Sequence, residues 1–316
     1  MRTRDFGRLG QVSALTLGGG GIGAVWGETS RAEAVATVHA ALDAGITLVD
    51  VAPSYGPDFE AERVAADALK GRDVLLATKA QVHDSEFGDP VARLTESLEE
   101  SLRRLGRDSV DMFLLHTQLR PAGTDGPAGT LDYERYANDV APAFDRLRTE
   151  GKIRSWGLTA VGHPDSIIAA IGHAAHRPDY AQVIVNALDM NGDMWIFDGV
   201  APRSREIVDA ANAAGVAVIA IRAVAAGSLA SSLDRPMAPD YPAAVDFARA
   251  APFRALAAEL GESPAGLAHR WALTAPGVAT VVLGVKNREE LAECVAAEDR
   301  GPLSEEEMTA IAALHV

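Results

Sequence analysis

Short strand-like segments alternate with amphipathic helical segments along almost the whole chain, and this alternation limits the fold more than any other feature. Eight β-rich segments lie at residues 14–17, 47–51, 74–78, 110–115, 153–158, 181–185, 216–221 and 279–283. Strands separated by helices are usually parallel and joined by right-handed crossovers. Eight such units in 316 residues predict an α/β fold, a closed (β/α)₈ TIM barrel, with residues 1–316 forming one domain.

The segments between the strands carry helix signals. Helices are predicted at residues 30–44, 59–70, 89–105, 138–149, 164–175, 204–214 and 288–297, with extra helices at 263–274 and 304–314. Ser30 with Glu33, and Ser304 with Glu307, have the spacing of capping boxes. The residues before Ala14 predict a short β-hairpin that plugs one end of the barrel. Segments 118–137 and 223–243 exceed ordinary loops and predict binding loops or lids.

Charge and cysteine content exclude several classes of protein. The formal net charge is −15, which disfavours nucleic acids and anionic membranes as partners. The single cysteine, Cys294, permits neither an intrachain disulfide nor a thiolate zinc cluster. The first residues lack the apolar core of a signal peptide, and no apolar run reaches the roughly 20 residues that span a bilayer. We therefore expect a cytoplasmic protein that acts on a small molecule.

Four polar residues occur where predicted strands end. Asp50 lies in the second strand and Tyr55 follows five residues later, while Lys79 ends the third strand and His116 ends the fourth. The carboxyl ends of barrel strands converge on one rim, which is where barrel enzymes place their catalytic residues. Taken singly, Asp50 is equally explained as a turn cap, Lys79 as a solvated lysine, His116 as a half-buried histidine, and Tyr55 as an aromatic packed on Pro53. Their joint occurrence at neighbouring strand ends predicts an active site.

The chemistry of the four residues is compatible with carbonyl reduction. A phenol with an ordinary pKa of about 10 becomes a better acid when an ammonium such as that of Lys79 stabilises its phenolate. Asp50 would hold Lys79, and His116 would donate a hydrogen bond to a substrate oxygen. No side chain supplies hydride, so the site requires a cofactor.

The motifs around these residues resemble those of the aldo-keto reductases. The matching segments cover nearly the whole chain: 45–50 (GITLVD), 54–56 (SYG), 77–79 (ATK), 97–116 with its closing LLH, 151–157 (GKIRSWG) and 283–287 (LGVKN). The resemblance implies NADP(H) or NAD(H) bound without metal, with Tyr55 as general acid and Asp50 and Lys79 as its tuning groups. It also implies that His116 orients the carbonyl, and that Tyr55 and His116 contact the substrate.

The positions that match the family's nicotinamide site depart from its common pattern. Thr159 and Ala160 stand where Ser-Asn is common, whereas Gln182 matches the third member of that amide clamp. Ile221 replaces a stacking aromatic ring, and Arg222 follows it. We expect Arg222 to reach the cofactor pyrophosphate or the substrate; the alternative is a salt bridge on the barrel rim.

The predicted adenosine end of the cofactor site begins after the last strand. Lys286 and Arg288 would meet a 2′-phosphate at a helix N-terminus, whereas Glu290, with Glu293 nearby, would repel it and accept from a ribose hydroxyl. The two basic residues favour NADP(H), with NAD(H) as the alternative. Two further predicted contacts with the cofactor are Gly227 and Gly284.

A glycine cluster follows the first strand. Gly18, Gly20 and Gly23 match a dinucleotide-binding fingerprint formally, but no helix is predicted to open at Gly23 and no acidic residue follows at the expected distance. We interpret the cluster as the first βα loop, where Gly19 and Gly20 allow the cofactor to approach. Trp26 is predicted either to wall the substrate pocket or to anchor this loop.

The sequence therefore predicts an oxidoreductase that transfers hydride between a nicotinamide cofactor and an aldehyde or ketone. One alternative is an NAD-dependent sugar or alcohol dehydrogenase that runs the oxidation. Another is a regulatory subunit that binds the cofactor without turnover. The intact set of Asp50, Tyr55, Lys79 and His116 argues against the regulatory subunit.

Overall fold

The structure, a computed structural model, describes residues 1–84, 88–233 and 235–314. The strands of this described part are β1 (Thr3–Asp5), β2 (Gln11–Ser13), β3 (Leu15–Gly18), β4 (Leu48–Asp50), β5 (Leu75–Ala80), β6 (Val110–Leu115), β7 (Gln118–Arg120), β8 (Thr130–Asp132), β9 (Ile153–Thr159), β10 (Tyr180–Ile184), β11 (Ala217–Ile221) and β12 (Val278–Leu283). Eight of them close a parallel barrel in the order β3-β4-β5-β6-β9-β10-β11-β12. The predicted barrel is confirmed, and all eight predicted strands end within two residues of the observed ones.

Helices surround the barrel. They are α1 (Gly19–Ile22), α2 (Arg31–Asp43), α3 (Glu60–Ala68), α4 (Pro90–Leu105), α5 (Tyr133–Arg135), α6 (Ala141–Thr149), α7 (Pro164–Ile171), α8 (Ser204–Ala214), α9 (Pro242–Arg249), α10 (Ala251–Glu259), α11 (Pro264–Thr274), α12 (Arg288–Arg300) and α13 (Glu305–Ala312). Within the described ranges, none is long and apolar enough to cross a bilayer.

The two long segments contain more regular structure than predicted. Segment 118–137 holds the parallel pair β7 and β8 together with α5. Segment 223–243, of which Asp234 lies outside the described residues, holds a short turn of helix at Ala225–Gly227 and ends in α9. Helices α9 and α10 were not predicted. Helix α11, predicted as an extra helix, instead leads directly into the last barrel strand.

The N-terminal hairpin of β1 and β2 plugs the amino end of the barrel, as predicted. Phe6 packs on the ring of Tyr180 with centroids 4.4 Å apart, and both residues are fully buried. The Tyr180 hydroxyl accepts from the Leu9 amide at 3.1 Å and donates to the Phe6 carbonyl at 2.9 Å. The hairpin therefore fills this end of the barrel interior.

One of the two predicted capping boxes is complete. Ser304 and Glu307 exchange both hydrogen bonds at the start of α13. At the start of α2, Ser30 accepts from the Glu33 amide, but the Glu33 carboxylate binds Arg288 on α12 instead of returning to Ser30. The capping box at the start of α2 is therefore only half formed.

Candidate active site

The four predicted catalytic residues meet at the carboxyl rim of the barrel. Asp50 is the last residue of β4, Lys79 is the penultimate residue of β5, and His116 directly follows β6. These strands are neighbours, with Asp50 opposite Ala77. Tyr55 lies on the loop that leaves β4. The parallel register thus gathers groups that are up to 66 residues apart in sequence.

Lys79 is fully buried and held from two sides. Its ammonium donates to Asp50 Oδ1 at 2.6 Å and to the Val51 carbonyl at 3.0 Å. The other carboxylate oxygen of Asp50 accepts from Gln182 Nε2 at 3.0 Å. Burial alone lowers the pKa of Lys79, but the neighbouring Asp50 carboxylate and Tyr55 phenol outweigh it and raise that pKa above its ordinary value. The site therefore keeps a buried cation at neutral pH.

The Tyr55 ring lies between this cation and His116. Lys79 Nζ is 4.6 Å from the centroid of the Tyr55 ring, and the rings of Tyr55 and His116 meet edge to face at 5.6 Å. Burial raises the pKa of Tyr55, and the ammonium of Lys79 opposes that rise without cancelling it. The phenol consequently stays protonated at neutral pH, and the Lys79 ammonium lies where it can stabilise a Tyr55 phenolate.

His116 is neutral in this environment. Burial, with contributions from Lys79 and His83, lowers the pKa of His116 to about 3. Its Nδ1 atom is buried without a hydrogen-bond partner among the described residues. A neutral imidazole can still donate one hydrogen bond to a substrate oxygen.

We expect the His116 imidazole to remain neutral from pH 8 down to pH 5, because its pKa of about 3 lies well below that range. NMR chemical shifts of the ring carbons and nitrogens, assigned with a His116→Asn variant, measure this directly. A protonation midpoint above pH 5 would contradict the neutral imidazole.

The predicted amide clamp is only partly available to a ligand. Thr159, the last residue of β9, has a buried hydroxyl without a hydrogen-bond partner in the described part of the chain. Gln182 lies beside it in register on β10, but its amide nitrogen donates to Asp50. The Ala160 amide donates to the Gln182 carbonyl at 2.8 Å. Thr159 therefore presents an unused polar atom, whereas Gln182 also supports Asp50.

Arg222 forms the rim salt bridge that was the alternative interpretation of this residue. It follows Ile221, the half-buried last residue of β11, and has a left-handed φ of 57°. Its side chain is 8% exposed and pairs with Asp193 at 2.7 Å, and it also donates to the Asn191 carbonyl at 2.8 Å. Its Nε atom is buried without a hydrogen-bond partner in the described ranges, and its charge lowers the pKa of Tyr55.

The glycine cluster after β3 serves close packing. Residues 19–22 form the short helix α1, where only a loop was predicted. A Cβ on Gly19 would lie 3.1 Å from the Tyr55 ring, and one on Gly20 would lie 2.5 Å from Trp26 Nε1. Trp26 also lies over Gly284, and the Arg235 guanidinium lies 5.5 Å from the Trp26 ring. These contacts fit Trp26 as a loop anchor and leave Gly20 covered by its indole.

The basic residues after β12 are already paired with carboxylates. Lys286 Nζ lies 2.7 Å from Glu290 Oε1, and Arg288 makes two side-chain contacts with Glu33 at 2.9 and 3.1 Å. Asn287 caps α12 by accepting from the Glu290 amide. Glu293 is exposed one turn further along α12, and Gly227, with a φ of +95°, ends the short turn after β11.

Glu33 and Asp193 pair with two of the predicted cofactor-binding residues, Arg288 and Arg222, and these pairs were not predicted. Their partners lie 255 and 29 residues away, and only the closure of the barrel brings Glu33 to Arg288. The described residues contain no group of three or more His, Cys, Asp or Glu side chains arranged to hold a metal ion. Two surface cavities, of about 300 and 510 Å³, are not lined by Tyr55 or by the other three predicted catalytic residues.

A model of the Aldo/keto reductase family matches residues 14–315. L-galactose dehydrogenase from Arabidopsis thaliana is 33% identical over 164 residues, and aldo-keto reductase YhdN from Bacillus subtilis is 38% identical over 158 residues. These matches span 50% and 47% of this chain, and they cover slightly less than half of each relative, 48% and 44%.

Two solved structures resemble the whole chain. The aldo-keto reductase AKR11C1 from Bacillus halodurans, in its holo form, has a TM-score of 0.73 at 24% identity, covering 99% of this chain and 96% of that protein. An aldo-keto reductase from Klebsiella pneumoniae in complex with NADPH has a TM-score of 0.70 at 25% identity, covering 99% and 95%.

Proposed function

The chain belongs to the aldo/keto reductase family, and from this premise we propose that it transfers hydride between a nicotinamide dinucleotide and a small aldehyde or ketone. The observation that carries the proposal is the buried Lys79–Asp50 pair, which lies against Tyr55 and beside the neutral His116. This arrangement supplies a proton donor, a cation that stabilises the conjugate base, and a neutral hydrogen-bond donor at one point of the rim.

In reduction, the Tyr55 hydroxyl donates its proton to the substrate oxygen while the carbonyl carbon accepts hydride. A bound nicotinamide would supply that hydride. Lys79 stabilises the phenolate that remains on Tyr55 until solvent reprotonates it. His116 orients the carbonyl through a hydrogen bond donated by its imidazole N–H, so that the substrate oxygen points at the phenol. In oxidation the phenolate accepts the alcohol proton, and the same residues act in the reverse order.

The residues present fit a nicotinamide cofactor. The Thr159 hydroxyl and Arg222 Nε are buried without hydrogen-bond partners among the described residues, and buried polar groups are rarely left unsatisfied. We assign Thr159 and Gln182 to the carboxamide, Ile221 to the ring face, and Arg222 to the cofactor or the substrate.

The remaining cofactor assignments carry over from the family pattern. They place the pyrophosphate and adenosine near Gly19, Gly20, Gly227, Gly284, Lys286, Arg288, Glu290 and Glu293. Since Trp26 covers Gly20, the indole would contact whatever lies along this loop, substrate included.

A sugar or another small polyol is the second candidate substrate, with oxidation as the direction. One relative supports it by name, the Arabidopsis L-galactose dehydrogenase. The residues of the site serve both directions, so kinetics and not geometry separate them.

The test is a steady-state assay of the purified chain with NADH and NADPH against a panel of aldehydes and ketones, and with NAD⁺ and NADP⁺ against sugars and alcohols. We expect turnover with at least one carbonyl or its alcohol, followed through the absorbance of the reduced nicotinamide. Tight dinucleotide binding without turnover on any member of either panel would favour a regulatory subunit instead.

A further inference from the structure

The two cations expected to attract a phosphate at the start of α12 are both neutralised within the protein. Lys286 forms the tighter pair. Its ammonium is 2.7 Å from Glu290 Oε1, and its own amide donates to Glu290 Oε2 at 2.8 Å. The side chains are 16% and 34% exposed, so solvent and salt screen this pair less than a fully exposed one.

Arg288 is paired with a residue of a different helix, α2. Glu33 on α2 accepts from the Arg288 amide at 3.1 Å, from Nε at 3.1 Å and from Nη2 at 2.9 Å. Such a two-pronged pair uses the face of a guanidinium that would otherwise bind phosphate. Arg288 lowers the pKa of Glu33 below its ordinary value, so Glu33 is ionised at neutral pH.

The local charge balance is negative. Lys286 and Arg288, even with the Arg235 guanidinium beside Trp26 counted, are outnumbered by the carboxylates Glu33, Glu289, Glu290 and Glu293. A 2′-phosphate carries about −1.5 to −2 charges at pH 7 and would have to displace Glu290 and Glu33 from their partners. A ribose hydroxyl needs no such displacement and can donate to a carboxylate, which is how dinucleotide-binding proteins commonly recognise NAD.

We propose that Glu290 and Glu33 make this chain select NAD(H) over NADP(H), with Glu290 contributing more because its pair is less exposed. The proposal rests on the proposed function, since it requires the adenosine end of the cofactor to lie at this loop. It reverses the preference for NADP(H) that the basic residues suggest in the sequence. The Klebsiella neighbour was solved with NADPH, so the selection would belong to these side chains and not to the fold.

The test measures dinucleotide affinity without turnover. Dissociation constants of NADH and NADPH for the full chain are obtained by isothermal titration calorimetry and by quenching of tryptophan fluorescence. We expect NADH to bind at least about tenfold more tightly than NADPH, a difference of about 1.4 kcal/mol. Lower salt should widen the ratio, because the repulsion of the phosphate is then less screened.

Variants that each remove one carboxylate identify which residue makes the chain prefer NAD(H) over NADP(H). Glu290→Gln is expected to tighten NADPH binding about tenfold and to weaken NADH binding by a few-fold, because the ribose hydroxyl loses its carboxylate acceptor. Glu33→Gln is expected to tighten NADPH binding by a smaller factor. Glu289→Gln is the matched control. It removes the same charge from the same helical turn, where Glu289 is exposed to solvent.

The outcomes distinguish the selection for NAD(H), the specific role of Glu290 and the proposed function. NADPH binding as tight as or tighter than NADH binding in the unmodified chain overturns the selection for NAD(H), while turnover would leave the proposed function intact. An equal gain in Glu289→Gln overturns the specific role of Glu290 and leaves only the general negative field. Failure of both dinucleotides to bind the folded chain, checked by circular dichroism, overturns the proposed function together with the inference.

Discussion

Tyr55→Phe is expected to lower kcat by about 10³-fold, within the range that a positioned general acid contributes. The substitution removes the hydroxyl of the ring that lies against Lys79 and retains the ring itself. The edge contact with His116 and the packing on Gly19 should therefore persist. Cofactor affinity and the melting temperature should change little. Steady-state kinetics, calorimetric titration with the dinucleotide and thermal unfolding measure the three quantities separately.

Tyr180→Phe is the control for this prediction. It makes the same chemical change at a buried tyrosine at the opposite end of the barrel, where the hydroxyl bonds to Leu9 and Phe6. We expect it to lower stability by about 1–3 kcal/mol and to leave kcat nearly unchanged. Turnover in Tyr55→Phe close to that of the unmodified chain would remove Tyr55 from the mechanism.

The sequence predicts well that Asp50, Tyr55, Lys79 and His116 come together, for a physical reason. Parallel strands joined by helices must end at one rim, so polar residues at strand ends predict a meeting point without knowledge of any contact. Asp50, Lys79 and His116 satisfy that condition, and glycines such as Gly106, which ends α4, mark where a helix stops and the next strand can begin. The family and the barrel are both confirmed by the structure and the family match.

The predicted cofactor-binding residues were harder to interpret, because the role of a charged side chain depends on which partner it pairs with in the fold. Lys286 and Arg288 indicate a phosphate site in the sequence, but the pairing of Arg288 with Glu33 exists only because β12 lies beside β3. Arg222 likewise looks unpaired until the loop that holds Asp193 is placed over the rim. The sequence shows which cationic side chains could bind a phosphate, whereas the fold decides which of them are already paired with a carboxylate.

The missed elements have a different cause. Helix α9 is only eight residues long, and the alanine-rich α10, nine residues long, has a weak apolar periodicity. Helix α1 consists of Gly19, Gly20, Gly21 and Ile22, and glycine is among the poorest helix formers. Tertiary packing against the Tyr55 loop and Val285 overrides that propensity.

Lys79→Met is expected to destabilise the fold by about 3–5 kcal/mol, because it leaves the Asp50 carboxylate buried without its cation. It should also lower kcat by at least about 10²-fold through the lost stabilisation of the Tyr55 phenolate. The raised pKa of Lys79 means that the pair is intact at neutral pH, and that its contribution is lost only as pH rises above the ordinary lysine range near ~10.4. Urea unfolding and steady-state kinetics measure both effects.

Combining Lys79→Met with Asp50→Asn separates the two roles of the lysine. Neutralising Asp50 removes the unpaired buried charge, and the Asn amide oxygen still accepts from Gln182, so we expect about 2 kcal/mol or more of stability to return. The phenolate would still lack its cation, so kcat should stay as low as in Lys79→Met alone. Recovery of kcat together with stability would instead mean that Lys79 only holds the rim in shape. Removing the charge of Asp50 is thus expected to restore stability, whereas restoring kcat requires a cation beside Tyr55.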